Sequence, residues 1–289
     1  MPSVERHSSL LALTRNPRIP LTIRKKIGKL ARPPSGTAFR IDMFGLSYEG
    51  QTGNHMDNKI YLYGMHEAAT VRLMRDILAR QHTQGLSPVL MDIGTNAGQH
   101  LLATAALADR AFGFEPWSPV HARAERALSA NGLKHAMVFP FGLSDENAQL
   151  RYAPPATDNF GAGSFADSGA LALKVRRGDE VAREHNITPT LLKIDVEGFE
   201  RRVLKGLEST LRNCRPVVIF EYSDMSRNDF DTPERRADIF GTGYSFYGIR
   251  RSREYPVLDS FNPQRRYENV LAWPETEKPC FQSGGSPIL

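Results

Sequence analysis

Cysteine is scarce in this chain. Its 289 residues include two, Cys214 and Cys280, far apart and without metal-ligand spacing. That argues against a disulfide framework or a zinc site as the organising device, and a reducing, cytoplasmic setting is the expectation. Long apolar runs are missing too. No stretch approaches the roughly 18 apolar residues that span a bilayer. The segment Met1 to Ser9 lacks the apolar core of a secretory signal. Acid is nearly missing from the first 32 residues, where Glu5 stands alone among eight lysines and arginines. The net charge of +5 therefore comes from this arm, and the rest of the chain is slightly acidic. Such a body does not suit a nucleic-acid surface, so no nucleic-acid partner is expected.

With 40% hydrophobic and 24% charged residues, the chain can bury one substantial core. A breaker cluster, Arg32-Pro33-Pro34-Ser35-Gly36, closes the basic arm and defines an arm and linker over residues 1–36. Within the arm, Leu21, Ile23, Ile27 and Leu30 alternate with Arg24, Lys25, Lys26 and Lys29. Two readings stand: a solvated, partly disordered arm, or a short basic amphipathic helix making weak contact with an anionic membrane surface or an acidic partner.

After residue 36 helices and strands alternate. Glu67 to Gln81 has helical periodicity. Val89–Ile93, Ala111–Glu115, Met137–Phe141, Leu191–Asp195 and Val217–Glu221 read as short apolar strands. Helices are predicted over His100–Asp109, Val120–Ala130 and Glu200–Leu211. This pattern predicts an α/β fold, a parallel sheet covered on both faces. Residues 142–180 interrupt it as an inserted hairpin or loop with the glycine-rich stretch Asn159–Ser164. Tyr244–Ile249 and Val270–Trp273 read as a final antiparallel pair.

Asp92-Ile93-Gly94-Thr95-Asn96-Ala97-Gly98 lies where a strand ends and a helix begins. Glycines there let backbone approach a ligand, and the helix start offers unpaired N–H groups. Glu115 ends the next strand, at about the spacing of an acid that binds ribose hydroxyls. Asp92 replaces the first glycine of the dinucleotide fingerprint. An acid there repels a pyrophosphate but suits an ammonium. S-adenosylmethionine, which has an ammonium and no phosphate, is thus favoured over NAD. The cofactor-binding candidates are Asp92, Gly94, Thr95, Asn96, Gly98 and Glu115.

The segments Asp92–Gly98, Phe114-Glu115-Pro116 and Leu192–Glu200 resemble the signatures of FkbM-type methyltransferases. Asp57 to Glu67, Asn159-Phe160-Gly161, Val203-Leu204-Lys205-Gly206 and Phe220-Glu221 add to the likeness, which covers roughly residues 40–275. Thr95 stands where alanine is commoner in that family. The resemblance implies a class I, Rossmann-like methyltransferase fold over residues 37–289. It implies a seven-stranded sheet, mostly parallel with one antiparallel strand, and helices on both faces. It also implies O-methylation of a hydroxyl on a sugar, glycan or secondary metabolite. Composition and periodicity do not show that preference.

Asp195 and Glu197 sit at the C-terminal end of a buried strand, where open α/β sheets bind ligands. Glu221 ends the neighbouring strand. An alcohol acceptor must lose its proton during or just after methyl transfer. Asp195 or Glu197 is the expected catalytic base, with His66 and His100 as competitors. The same acids are also compatible with a metal or with Glu197 capping the next helix, and no metal is assigned. Asn159 and Glu221 are candidate substrate-binding residues. Lys193, inside the strand, needs an acidic partner. Trp117 and Phe141 suit either an adenine or the core. Other functions compatible with the sequence are methylation of an amine or protein acceptor, a nicotinamide-dependent oxidoreductase, and a non-catalytic cofactor-binding scaffold. Oligomeric state is not legible.

Overall fold

The computed structural model describes residues 2–154, 164–165, 169–252 and 255–275. The chain begins with helices α1 (Pro2–Arg15) and α2 (Leu21–Leu30), then the antiparallel hairpin β1 (Ala38–Met43) and β2 (Leu46–Gln51). Helices α3 (His55–Tyr63) and α4 (Ala68–Thr83) follow. The alternating run is β3 (Val89–Ile93), α5 (Gln99–Ala105), β4 (Arg110–Phe114), α6 (Ser118–Ala130) and β5 (Ala136–Phe139). Four short strands come next: β6 (Gly142–Ser144), β7 (Ala148–Ala153), β8 (Ser164–Phe165) and β9 (Leu171–Arg177). After α7 (Gly178–Glu184) the chain resumes with β10 (Leu191–Ile194), α8 (Glu200–Gly206), α9 (Glu208–Cys214) and β11 (Val217–Glu221). It ends with α10 (Arg227–Phe230), α11 (Pro233–Phe240), β12 (Tyr244–Ser252), β13 (Tyr255–Ser260) and β14 (Asn269–Pro274).

The main sheet has eight strands in the order β13-β12-β14-β11-β10-β3-β4-β5. From β5 to β11 every pairing is parallel; β14, β12 and β13 pair antiparallel in succession. The expected pairing of Tyr244–Ile249 with Val270–Trp273 is present. The expectation of seven strands is corrected: after β12 the chain folds back as a hairpin, adding β13 at the edge. Burial explains why. Leu258 is buried, and the Tyr255 ring lies under the Arg72 guanidinium of α4. The α4 helix thus packs on the face of this edge strand and buries its apolar side chains.

Side chains alternate across this sheet. Met91, Ile93, Phe112, Phe114, Leu192, Ile194 and Phe220 join one core with residues of α7 to α11. Leu90, Ala111, Leu191, Val217, Ile219 and Leu271 join a second core with α4, α5 and α6. This is the period-two consequence of a sheet buried on both faces. Asp92 and Lys193 fall in the α4/α5 series and are paired neighbours in the β3–β10 register.

The interrupted region is a second sheet, β6-β9-β7-β8, rather than a single hairpin. The Asn159–Ser164 loop lies largely outside the described residues, and Asn159 with it; so does Cys280. The helix expected over Glu200–Leu211 is broken into α8 and α9. At the break, a Cβ on Gly206 would overlap the Ser144 carbonyl. The second sheet therefore packs against backbone at that point. Among the described residues no helix is long and apolar enough to cross a membrane.

The basic arm is helical and docked, against the reading of it as a solvated arm. The Arg15 Nη2 donates to the Tyr61 carbonyl at 2.7 Å. The Arg24 Nε donates to the Thr14 carbonyl, and its guanidinium lies 5.5 Å from the Tyr63 ring centre. Arginine stems and planar heads pack well on aromatic faces, which is how a charged helix docks on α3.

Candidate active site

One cavity of about 290 Å³ opens at the C-terminal ends of β3, β4, β10 and β11. Its wall includes Gly94, Thr95, Asn96, Gln99 and His100 from the first loop and helix, and Phe114, Glu115 and Pro116 from the second strand end. Asp195, Val196, Glu197 and Phe199 come from the third strand end, and Glu221 from the fourth. His55, Met56, His66 and Glu67 close it from the α3–α4 side, and Gly142, Leu143 and Tyr152 from the second sheet.

The glycine loop is built by its backbone. Gly94 adopts φ +81°, and a Cβ there would overlap the Asp195 carbonyl oxygen. The Gly94 and Thr95 N–H groups both donate to the Phe114 carbonyl at 3.1 Å. The Thr95 hydroxyl donates to the Asp92 carbonyl at 2.6 Å and accepts from the Phe114 N–H at 2.9 Å. Its polar capacity is thus used inside the loop, and it is the backbone at position 95 that faces the cavity. Gly98, at φ +83°, sits against Ala124 of α6 and permits close helix packing behind the wall. Asp92 also lies behind the wall, 1% exposed, and neither carboxylate oxygen makes a full hydrogen bond. Burial raises its pKa, and His100 and Lys193 oppose the rise.

Glu115 is placed by two backbone donors: Asn96 N–H at 3.1 Å on one oxygen and Trp117 N–H at 2.8 Å on the other. It thereby ties the loop after β3 to the end of β4. Burial pushes its pKa up to about 7, despite those two N–H groups. Each oxygen retains a lone pair, and the side chain lines the cavity.

The acidic motif after β10 is a tight turn. Lys193, fully buried, donates to Asp195 Oδ2 at 3.0 Å, which is the partner its position required. Burial would lower the Lys193 pKa, but Asp195, Glu67 and Asp92 outweigh it and hold it above the ordinary lysine range. Glu197 adopts φ +51°, a left-handed conformation uncommon outside glycine, so it diverges from Asp195. Burial and the charges of Asp195 and Glu200 raise Glu197 to about 7. No side chain caps α8, so the capping role considered for Glu197 is not filled; Glu200 Oε1 instead closes the turn before the helix, accepting the Val196 and Gly198 N–H groups at 3.2 Å. Burial also raises Glu200 to about 7. Glu221 is pushed to about 9 by burial and by Asp195, Glu197 and Glu200.

The histidines lie opposite. His100 Nε2 is 3.3 Å from Glu67 Oε2. Burial alone would raise the Glu67 pKa; His100 and Lys193 reverse that and hold it below the usual carboxylate range. His66 is lowered to about 4 by burial and is neutral at pH 7. Its Nε2 is 3.1 Å from Lys59 Nζ. Among the described residues no three His, Cys, Asp or Glu side chains form a metal-holding group.

The structure thus brings Gly94, Thr95, Asn96, Glu115, Asp195, Glu197 and Glu221 to one cavity, with Asp92 and Gly98 just behind it. Phe141 is a core residue, its ring 5.2 Å from that of Phe139 and 6.1 Å from that of Phe114. Trp117 packs at 6.0 Å from Tyr152, away from the wall. The aromatic lining is Phe114, Tyr152 and Phe199 instead. Tyr152, Gln99 and His55 also line the cavity. Tyr152 arrives through the inserted sheet, which no local signal links to the cavity. Gln99 was findable, since it follows the last glycine of the loop; its Oε1 accepts the His66 N–H at 2.8 Å.

Comparison with known proteins adds the following. The family model described as the methyltransferase FkbM domain matches residues 92–247. The hexuronic acid methyltransferase AglP of Haloferax volcanii is 28% identical over 144 residues, which are 49% of this chain and 59% of that protein. The chain therefore spans less than two thirds of the length of that curated relative. Among solved structures, methyltransferase FkbM from Methylobacillus flagellatus KT aligns over 65% of this chain and 44% of its own, with 18% identity and a TM-score of 0.46. A SAM-dependent methyltransferase from Agrobacterium tumefaciens aligns over 84% of this chain and 72% of its own, with 9% identity and a TM-score of 0.45.

Proposed function

Because this chain belongs to the methyltransferase FkbM family, we propose that it transfers the methyl group of S-adenosylmethionine to a hydroxyl oxygen of a sugar or glycan. The observation that carries this reading is the charge balance of the cavity. Glu67, Glu115, Asp195, Glu197 and Glu221 line it, Asp92 and Glu200 lie behind, and Lys193 is the buried cation set among them. Carboxylates crowded in a buried site raise one another's pKa, and a ligand bearing positive charge relieves that cost. S-adenosylmethionine carries an ammonium and a sulfonium against a single carboxylate, a net positive charge, and supplies an activated methyl group when bound. A dinucleotide would instead set a pyrophosphate against these acids.

The residues present fit that cofactor. The lone pairs of Glu115 left over from Asn96 and Trp117 suit a ribose diol. Asp92 adds negative potential beneath the loop. Gly94 leaves the loop backbone open to close approach. On the acceptor side we assign the base to Glu197. Its pKa of about 7 gives a deprotonated fraction at neutral pH and enough basicity to take a hydroxyl proton. His66 is a poorer base, being lowered to about 4. Asp195, fixed by Lys193, would orient the acceptor hydroxyl, since in-line displacement needs the oxygen held near 3 Å from the methyl carbon. Glu221, protonated at neutral pH, is a hydrogen-bond donor at the same wall.

A sugar is favoured over an amine because Glu67, Asp195, Glu197, Glu221 and His55 line the cavity and can bind several hydroxyls. The name of the Haloferax volcanii relative, a hexuronic acid methyltransferase, points the same way. We take residues 37–289 as the catalytic unit and the cytoplasm as its setting, the latter on the scarcity of cysteine. The test is incubation with S-adenosylmethionine and a panel of hexuronic acid glycosides, neutral hexosides and amines, read by mass spectrometry. Methylation of a sugar hydroxyl is the expected result. Methylation confined to amines would overturn the acceptor assignment.

A further inference from the structure

We propose that the outer face of α2 docks this protein on an anionic lipid surface. The stripe that α2 buries is Arg24, Gly28 and Ala31, at i, i+4 and i+7. The Arg24 guanidinium covers Tyr63, and Gly28 lets the helix approach the Tyr63 hydroxyl. The large apolar side chains are left outside: Ile23 is 48% exposed and Leu30 75% exposed. With the half-buried Ile27 they follow the same i, i+4, i+7 spacing on a second face of the helix. The fold buries Ile27 in part and leaves Ile23 and Leu30 largely outside.

Charge supplies the identity of the occupant. Lys25, Lys26 and Lys29 are exposed on the solvent side of α2, and Arg18 and Arg32 are exposed at its two ends. From residue 8 to residue 32 there is no Asp or Glu. An apolar strip flanked by lysines, without acid nearby, is the arrangement that lies in a headgroup layer, the lysines attracted by anionic lipid and the aliphatic side chains entering the acyl boundary. A neutral protein surface would match the apolar strip but not the charge.

Position gives the docking a use. The α2 helix rests on the C-terminal end of α3, whose first residues, His55 and Met56, line the cavity. A nine-residue helix is about 12–14 Å long. The face that would meet lipid is thus separated from the cavity by the length of α3 and at most the roughly 10 Å width of α2, near enough to serve acceptors held at a membrane surface.

Sedimentation of the full chain with vesicles tests this independently of any methyl acceptor. Vesicles of phosphatidylcholine with about one third phosphatidylglycerol are compared with pure phosphatidylcholine, at low and high salt. The expected result is at least tenfold more protein bound to the anionic vesicles at low salt, falling at high salt. Both the triple variant Lys25→Ser, Lys26→Ser, Lys29→Ser and the double variant Ile23→Ser, Leu30→Ser should lose most of that binding. Their melting temperatures and affinities for S-adenosylhomocysteine should stay as in the parent. Equal binding to both vesicle types, or parental binding by either variant, overturns the proposal. Failure to bind vesicles while a poly-glutamate peptide binds in a lysine-dependent way would assign the face to an acidic protein, and would equally overturn it.

Discussion

The backbone of Gly94 is pressed against the carbonyl oxygen of Asp195, leaving no room for a Cβ. This contact joins the two halves of the site: the loop that ends β3 and the acidic turn that ends β10. Gly94→Ala should therefore damage both. A left-handed φ at a non-glycine residue costs roughly 1–2 kcal/mol, and forcing a methyl against backbone adds about 1–3 kcal/mol. Thermal melting should fall by several degrees and cofactor binding should be lost. A variant that melts and binds S-adenosylhomocysteine like the parent would mean the loop has freedom this contact denies.

Glu115→Gln should weaken cofactor binding without unfolding the protein. The amide keeps one oxygen to accept a backbone N–H but loses the charge that strengthens bonds to ribose hydroxyls. A loss of about 1–3 kcal/mol is expected, read as S-adenosylhomocysteine affinity by calorimetry. Unchanged affinity would remove Glu115 from the ribose role.

Glu197→Gln should lower kcat by about a hundredfold or more, the usual contribution of a positioned base. Affinity for S-adenosylhomocysteine should change little. In the parent, kcat should rise as pH increases through about 7, because the base must be deprotonated. In the variant that limb should vanish. Full activity in Glu197→Gln would reject the assignment.

The cofactor-free protein should lose stability as pH rises. Glu115, Glu197 and Glu200 sit near 7 in the folded chain, and Glu221 near 9. An unfolded glutamate sits near 4.3. The folded state therefore holds more protons between these limits, and stability declines from about pH 4.5 to pH 7, with Glu221 extending the decline toward 9. Melting temperature should fall by more than about 3 °C between pH 5.5 and 8.5. Saturation with S-adenosylmethionine should flatten the slope, because its positive charges favour the ionised acids. A flat profile without ligand would show that the carboxylates are better solvated than their burial indicates.

Much of this site is legible in the sequence because it is local. Asp92 to Gly98 is a strand end, a turn and a helix start within seven residues. Glu115 follows from the length of one strand–helix–strand unit. Asp195 and Glu197 follow a short strand that is apolar except for Lys193. Their side chains reach the cavity because parallel strands all end on the same side. What escapes the sequence arrives from a distance. Tyr152 comes on an inserted sheet whose placement depends on Gly206 meeting Ser144. His55 reaches the wall through α3, which is held by the burial of Asp57 under Arg123 and Tyr48. The strand β13 was missed because α4, nearly two hundred residues earlier, covers it. The arm's lysine-rich pattern is compatible with solvent or with a basic helix, and the helix docks because Arg24 finds an aromatic ring on α3.

The central claim is that the cavity binds a sulfonium nucleoside rather than a dinucleotide, and calorimetry at neutral pH tests it most directly. The account predicts micromolar or tighter binding of S-adenosylmethionine and S-adenosylhomocysteine to the parent, and no measurable heat with NAD. Binding of NAD with no binding of S-adenosylmethionine or S-adenosylhomocysteine would contradict it.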